Sequence, residues 1–443
     1  MLQHANVASL RPPSLEDFAD FWQRGDATVC SANFREIVHD MRQRVATHYA
    51  FPYPGKVIPH IPRAIIALSQ ILALPTGVFD PCCGSGTVLL EAALAGQRSV
   101  GVDINPLAAL VSRVKVTRVS QKKCVHLLER LNARIQSSRP TIPDVVNLDM
   151  WFSRLAIERL GGMRTIIDRI EEKPVRELFQ VAFAKAVRAC SLADPRMPVP
   201  VRPNLQRLPP GSSVRAQIEQ HLQRAKRPDV AELMRNAVTQ LLAALSNLPP
   251  RVPKTRTYVS DARHLALDEQ FGLVLTSPPY GSAQKYIRSS SLALGWLGLA
   301  TSAELSALEA MSIGREHVRR AELKAVPYPM LPSAEPLISS TYRENPARAH
   351  LAASYLADLS ALIRICRLHL APRGAVVMVL GDTSLLGRQF PLANYAIELA
   401  RMHGLALAMD LRDRIRGRGL LTKRRSGSPA IQEERVLIFR EAR

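Results

Sequence analysis

Two short stretches of this chain carry residue types that could do chemistry on a nucleoside. The first is Asp80-Pro81-Cys82-Cys83-Gly84-Ser85-Gly86-Thr87, which follows the apolar run GVF and precedes a helical pattern. A strand that ends in a glycine-rich turn and enters a helix lets the backbone approach a ligand closely, with the free N–H groups of the helix start nearby. Seventeen residues beyond Gly86 the run RSVGVDI reaches Asp103 and Ile104. An acid at that place can accept both ribose hydroxyls of a nucleoside cofactor. A dinucleotide fingerprint wants a third glycine where Leu89 stands, and a Walker loop wants a Gly-Lys-Ser/Thr that does not follow. Asp80 in the turn suits instead the ammonium and sulfonium of S-adenosylmethionine. An ordinary tight turn is the plainer alternative. Asp261, after TYVS, would lie beside the cofactor adenine or would simply cap the helix ARHLAL.

The second stretch is Thr276-Ser277-Pro278-Pro279-Tyr280, at the end of the apolar run FGLVL. Consecutive prolines fix φ and remove two N–H donors, which is expected to leave carbonyls pointing outward without competing donors. A base amino group offers two N–H donors, and its lone pair is delocalised into the ring. Accepting both protons, on the Ser277 side chain and the Pro278 carbonyl, would push the nitrogen toward tetrahedral geometry and free the lone pair for in-line attack on a methyl group. That is positioning and electrostatics more than proton abstraction. Tyr280 would hold an extruded base by stacking, worth about 1–3 kcal/mol. A rigid loop with a packed tyrosine is the plainer alternative.

The elements that must hold these turns are legible in the pattern. Strand and helix alternate from Gly77, as GVFDP, a helix over 85–95, RSVGVDI and a helix over 106–116, which implies a parallel sheet with crossover helices. The rhythm stops over 121–250, where helical stretches flank a proline-rich basic link. It returns with TYVSDA, FGLVL, GAVVMVLGD, GLALAMDLRD and ERVLIFR, for about seven strands in all. The expected organisation is an N-terminal helical segment over 1–50, a catalytic domain over 51–120 and 251–443, and a helical insertion over 121–250 as a candidate target-recognition region.

Charge narrows the partners. Lys and Arg outnumber Asp and Glu, 59 to 38, for a net charge of +21, which favours a polyanion such as nucleic acid. The densest basic run, RDRIRGRGLLTKRR, holds Arg412, Arg414, Arg416, Arg418, Lys423, Arg424 and Arg425 against the single acid Asp413. Between two late strands it would form a loop able to grip phosphates. A weaker cluster spans 315–320. The six cysteines form no C-x-x-C pair and no zinc spacing, so reduced thiols and no metal site are expected. The absence of a long apolar run or a signal-like start points to a cytoplasmic protein without a membrane span.

Together the two motifs resemble the bacterial S-adenosylmethionine-dependent amino-methyltransferases of DNA. DPCCGSGT looks like the cofactor loop of that family, GVDIN like the stretch carrying the ribose acid, and TSPPY like the catalytic tetrapeptide with its preceding residue. The Ser-Pro-Pro-Tyr form is typical of cytosine-N4 enzymes, whereas adenine-N6 enzymes more often have Asp or Asn where Ser277 stands. Residues 51–66, including Tyr53, resemble the segment that packs over the methyl donor. Residues 284–299, including Lys285, resemble the stretch after the tetrapeptide, and NLDMWF resembles an insert of some bacterial DNA methylases. The resemblance implies an α/β, Rossmann-like class I methyltransferase sheet of seven strands, its last strand inserted antiparallel, with a helical insertion. It implies S-adenosylmethionine bound by Tyr53, Asp80, Cys82, Gly84, Ser85, Gly86, Thr87, Asp103, Ile104 and Asp261. Ser277, Pro278, Pro279 and Tyr280 would be catalytic on a flipped cytosine of DNA, with Lys285 and the 412–425 run against the nucleic acid. A cognate restriction endonuclease is the partner such an enzyme would have. Target recognition would fall to the insertion or to 300–345. Adenine-N6 methylation, an RNA base methyltransferase and a non-catalytic nucleic-acid binder on a relic fold are the competing readings.

Overall fold

Eight of the chain's strands hydrogen-bond into one sheet in the structure, a computed structural model that describes residues 14–24, 28–38, 47–129, 131–281, 285–318, 322–324, 331–414 and 433–442. In chain order the strands are β1 (Thr28–Ser31), β2 (Val78–Asp80), β3 (Ser99–Asp103), β4 (Thr255–Val259), β5 (Phe271–Thr276) and β6 (Leu370–Leu380). A separate small hairpin of β7 (Thr383–Leu385) and β8 (Arg388–Phe390) follows, then β9 (Leu405–Arg414) and β10 (Glu433–Glu441). The sheet order is β1-β9-β10-β6-β5-β2-β3-β4. Neighbours run parallel except at β10, which lies antiparallel between β6 and β9.

Seven strands match the apolar runs of the sequence, and the antiparallel last strand is the arrangement the resemblance implies. The eighth comes from the N-terminal segment. There TVCS pairs parallel with β9, Thr28 opposite Met409, so this segment adds a sheet edge as well as the helix Leu15–Arg24.

β2 and β5 are buried throughout, as expected of parallel strands covered on both faces. Alternate residues of β6 divide between two cores. Ala375, Val377 and Val379 face the helices Leu15–Arg24 and His60–Ile71, whereas Val376, Met378 and Leu380 face Pro346–Leu368 and Leu392–Met402.

Among the described residues 121–250 is entirely helix and connection, as the sequence pattern indicates. Ser153, Ser212 and Asp229 cap three of its helices by accepting backbone N–H bonds. The insertion does not have a core of its own. Its helices Arg154–Asp168, Lys173–Cys190 and Val230–Leu245 share one apolar cluster with Pro106–Lys115, which follows β3, and with Tyr286–Trp296, which follows β5. At that seam the fully buried Trp296 meets Phe152 edge-on at 5.5 Å and Phe183 at 6.1 Å. We expect Trp296→Ala to cost about 3–5 kcal/mol in urea unfolding. A loss below about 1 kcal/mol would mean that this aromatic seam does not hold the insertion.

Candidate active site

β2 and β5 lie side by side, Val78 opposite Leu273 and Phe79 opposite Val274, so the two turns that follow them open at one end of the sheet. Between them is an open cleft whose walls include Asp80, Cys82, Gly84, Ser85, Thr87, Asp103, Ile104 and Asp261 on one side, and Ser277 and Pro279 from the Ser-Pro-Pro-Tyr turn on the other. Tyr53 joins them, and Tyr286, Met311, Ser312 and Ile313 complete the wall.

Backbone geometry explains why the turn has its residues. Gly84 and Gly86 have φ of +49° and +77°, the left-handed region that side chains disfavour. A Cβ on Gly86 would also come within 2.6 Å of Ser112 Cβ, so the turn can press against the helix Pro106–Lys115 only as glycine. Gly86 acts behind the cavity wall, as the residue that starts the helix Thr87–Leu94. Ser85 receives a hydrogen bond at 3.3 Å from Nζ of Lys115, which is 1% exposed and whose pKa burial lowers well below the ordinary lysine range.

Asp103 is locked by its neighbours. Its Oδ2 accepts the Gly84 N–H at 2.9 Å and its Oδ1 the Asn105 N–H at 2.8 Å, which fixes the carboxylate plane at the cleft wall. Asn105 in turn caps the next helix through Leu107 N and donates to Tyr53 Oη at 3.3 Å and Ser290 Oγ at 3.0 Å. Tyr53 stacks on Tyr286, ring centroids 6.2 Å apart and planes 27° apart. Asp80 Oδ1 accepts the Cys82 N–H at 3.1 Å. Burial pushes Asp103 up to about 6 and Asp80 up to about 7. Both carboxylates therefore favour a partner that restores their charge, whether cation or hydroxyl donors. Burial lifts the Cys82 and Cys83 thiols well above the ordinary range, so they line the turn as neutral groups.

Asp261 is a helix cap that also reaches the cleft wall. It caps the short helix Ala262–His264, accepting Arg263 N at 3.0 Å, and it lines the cleft. Its carboxylate is gripped by the Arg263 guanidinium at 2.6 Å, and Arg263 also pairs with Asp358.

The Ser-Pro-Pro-Tyr turn departs from expectation in one respect. The Pro279 carbonyl is not free of donors: it accepts the Tyr355 hydroxyl at 2.7 Å and the Gly281 N–H at 3.1 Å. A tyrosine from the distant helix Pro346–Leu368 supplies the donor that the prolines lack. Pro278 is buried behind the cleft wall. Tyr280 is half-buried, and its hydroxyl lies 3.3 Å from Ser277 Oγ.

The expected nucleic-acid contacts are only partly within view. Arg412 and Arg414 stand exposed at the end of β9, with Arg412 3.8 Å from Asp410. Arg416, Arg418, Lys423, Arg424 and Arg425 lie outside the described residues. Lys285 is paired with Glu316 at 2.8 Å, and Arg315 with Glu322 at 2.5 Å. Among the described residues no group of three or more His, Cys, Asp or Glu is placed to hold a metal, and no helix is long and apolar enough to cross a membrane.

Asn105, Tyr286, Tyr355 and the 311–313 wall did not emerge as site residues from the sequence. Asn105 carries a usable signal, an Asn-Pro helix start two residues after Asp103. The others reach the site only through the tertiary fold.

Known proteins agree with this geometry. The family model of the RMKL-like methyltransferase domain matches residues 48–136, which holds the cofactor turn and stops short of Ser277. The Type II methyltransferase M.MvaI of Kocuria varians is 26% identical over 283 residues, 57% of this chain and 58% of that protein. The Type II methyltransferase M.MjaII of Methanocaldococcus jannaschii is 30% identical over 105 residues, 24% of this chain and 19% of that protein. A tRNA (guanine(10)-N2)-dimethyltransferase of Methanothermobacter thermautotrophicus is 44% identical over 55 residues, 12% of this chain and 16% of that protein. The chain thus spans less than two thirds of each of these relatives. The fold is that of a class I methyltransferase, and S-adenosylmethionine is the methyl donor these matches imply. The cleft fits that group: buried acids for its positive charges and ribose, and Tyr53, Ile104, Tyr286 and Ile313 for its apolar surface.

Replacing Asp103 by Asn should weaken S-adenosylmethionine binding about 10–100-fold in calorimetry, the loss of hydrogen bonds to a charged group. Unchanged affinity would remove Asp103 from the donor site. The affinity of the native protein should also depend on pH. Binding needs the charged carboxylates, so it is full from about one pH unit above 7 and is lost as pH falls through the raised values of Asp80 and then Asp103, at about 7 and about 6. A flat affinity between pH 8 and 5.5 would contradict this.

Proposed function

We propose that this chain transfers a methyl group from S-adenosylmethionine to the exocyclic N4 amino group of cytosine in DNA, after the base has turned out of the duplex. The observation that carries the reading is that Ser277 and Pro279 share one cleft with Gly84 and Asp103. A donor bound at the acids and an acceptor nitrogen at the Ser-Pro-Pro-Tyr turn would meet without any further movement of the sheet.

In this reading Asp103 accepts the ribose hydroxyls, Asp80 favours the donor's positive charge, and Asp261 faces its adenine. Ser277 Oγ accepts one amino N–H at the cleft wall, while Pro278, buried behind that wall, holds the turn in shape and Tyr53, Tyr286 and Ile313 exclude water. A cationic donor loses its charge on transfer, so a dry, acid-lined cleft acts chiefly by placing the two reactants and holding that charge. The Tyr280 ring supplies the apolar face for the base, and burial keeps its phenol protonated well above the ordinary range. When bound, S-adenosylmethionine supplies the activated methyl; all the rest falls to the chain.

DNA as substrate rests on the resemblance, on the net charge of +21, and on the Type II relative matching 57% of the chain against 12% for the tRNA enzyme. The insertion and 300–345 are the segments proposed to read the target, with a cognate restriction endonuclease as the partner such a pairing would serve. Adenine-N6 methylation is the alternative on DNA. An RNA base is the second reading, favoured by the 44% identity of the tRNA dimethyltransferase over 55 residues.

Labelled methyl should pass from S-adenosylmethionine to duplex DNA and not to tRNA, and digestion to nucleosides should give N4-methylcytosine by mass. N6-methyladenine, or label in tRNA alone, would replace this reading with one of the other two. Ser277→Ala should lower turnover about 100-fold or more, the usual loss for one transition-state hydrogen bond, with donor affinity changed less than about twofold. Equal loss of both would contradict the assignment of Ser277 to the acceptor.

A further inference from the structure

A carboxylate from the far end of the chain reaches the catalytic turn. Glu434 lies on β10, paired in register with Asp413 of β9. The Tyr280 hydroxyl donates to Glu434 Oε1 at 3.3 Å, and Ser277 Oγ lies 3.3 Å from the same Tyr280 oxygen. A phenol has one proton. With that proton on Glu434, the bond between Ser277 and Tyr280 can run in only one direction, from serine O–H to tyrosine oxygen. Ser277 then turns lone pairs, and not a proton, toward the cleft that it lines. An ionised carboxylate can only accept, so it sets the polarity of the whole chain of hydroxyls. Neither the mechanism above nor the Ser-Pro-Pro-Tyr motif uses this residue.

We propose that Glu434, acting through Tyr280, is the positioning residue that fixes Ser277 as an acceptor and takes up the proton that leaves the acceptor nitrogen. The proposal rests on the amino-methylation reading. In methyl transfer the N–C bond forms, the donor's S–C bond breaks, and its electron pair stays on sulfur. The acceptor nitrogen is left with one proton more than a neutral amine. That proton passes to Ser277 Oγ as the serine proton passes to Tyr280 Oη and the tyrosine proton to the Glu434 carboxylate. The positive charge that entered on sulfur thus ends by neutralising Glu434, which returns its proton to solvent before the next cycle.

The groups facing Glu434 are Tyr280, Asp413 and Arg35. Burial, and after it Asp413, raise its carboxyl above the ordinary glutamate range against the opposing pull of Tyr280 and Arg35. Protonated Glu434 becomes a donor and the chain of hydroxyls loses its fixed direction. Activity is therefore present above the raised carboxyl value and lost as pH falls through it.

The test is steady-state methyl transfer to DNA over a pH series by the wild type, Glu434→Gln, Tyr280→Phe and the double variant. Glu434→Gln should lower kcat about 100-fold, within the range for losing a proton-transfer group, with KM for DNA and donor changed less than about threefold. With S-adenosylmethionine saturating at every pH, so that the loss of donor affinity through Asp80 and Asp103 is read in its KM, the acidic limb of the wild-type kcat profile should vanish in it. The double variant should be no slower than the slower single variant, because all three groups act as one chain. An unchanged kcat with the acidic limb retained, a raised KM without a pH effect, or losses that multiply in the double variant would each overturn the proposal. Label on adenine or RNA would defeat the cytosine reading instead, and the same four proteins then decide the role of Glu434 on that substrate.

Discussion

The parallel pairing of β2 with β5 constrains everything else in this molecule. The chain leaves β2 toward β3 and β4 on one side and leaves β5 toward β6 on the other, so the two strand ends diverge and a crevice must open between them. Two glycines let the layers close up around that pair. A Cβ on Gly272 of β5 would lie 1.7 Å from the Pro75 carbonyl oxygen, in the segment that leads into β2. A Cβ on Gly101 of β3 would lie 2.5 Å from Leu89 and 2.9 Å from Cys83, beneath the cofactor turn. Neither backbone could approach so closely with a side chain in the way. The ends of the strands then carry the chemistry: acids and glycines on one, serine and prolines on the other.

That arrangement was largely legible in the sequence, for physical reasons. Strands buried on both faces read as unbroken apolar runs, and the turns after them need glycine, proline and aspartate for reasons local to the backbone. Asp80, Gly84, Asp103 and Ser277 could therefore be placed by type and spacing alone. β1 was not legible, because four residues at a sheet edge, TVCS, carry no periodic signal. Nor were Tyr355, Tyr286 and Glu434. Tyr355 and Glu434 reach the turn from elements far along the chain, and Tyr286, though close in sequence, meets Tyr53 only through the fold. Tyr355 also shows the limit of local reasoning about Pro279, whose carbonyl is satisfied from 76 residues away.

The electrostatics divide between inside and outside. A chain of net charge +21 lines this cleft with three acids, Asp80, Asp103 and Asp261, against one lysine, Lys56. Of the nearby cations, Arg263 is held by Asp261 and Asp358, and Lys56 donates to the carbonyls of His48 and Phe51 at 3.1 and 2.5 Å. Arg63 is bound with His48 to the buried Glu91, whose carboxylate accepts at 2.9 and 2.6 Å. The cleft thus selects a cationic small molecule while the exposed surplus of arginine and lysine favours a polyanion outside it.

The insertion has a structural consequence that its sequence does not suggest. The helix Tyr286–Trp296 is clamped at its far end by insertion residues: Phe152 and Phe183 pack on Trp296, Arg164 donates to the Trp296 carbonyl at 2.6 Å, and a Cβ on Gly295 would meet the Asp144 carbonyl oxygen at 2.4 Å. At its near end the same helix supplies Tyr286, which stacks on Tyr53, and Ser290, which accepts from Asn105 beside Asp103. A rigid helix of 11 residues links the two. The insertion thereby helps to fix one wall of the cleft, and a shift of its core would move Tyr286 and Asn105 together. Because that core is continuous with the helix that follows β3, the 121–250 segment supports the site from behind whatever it also contacts in front.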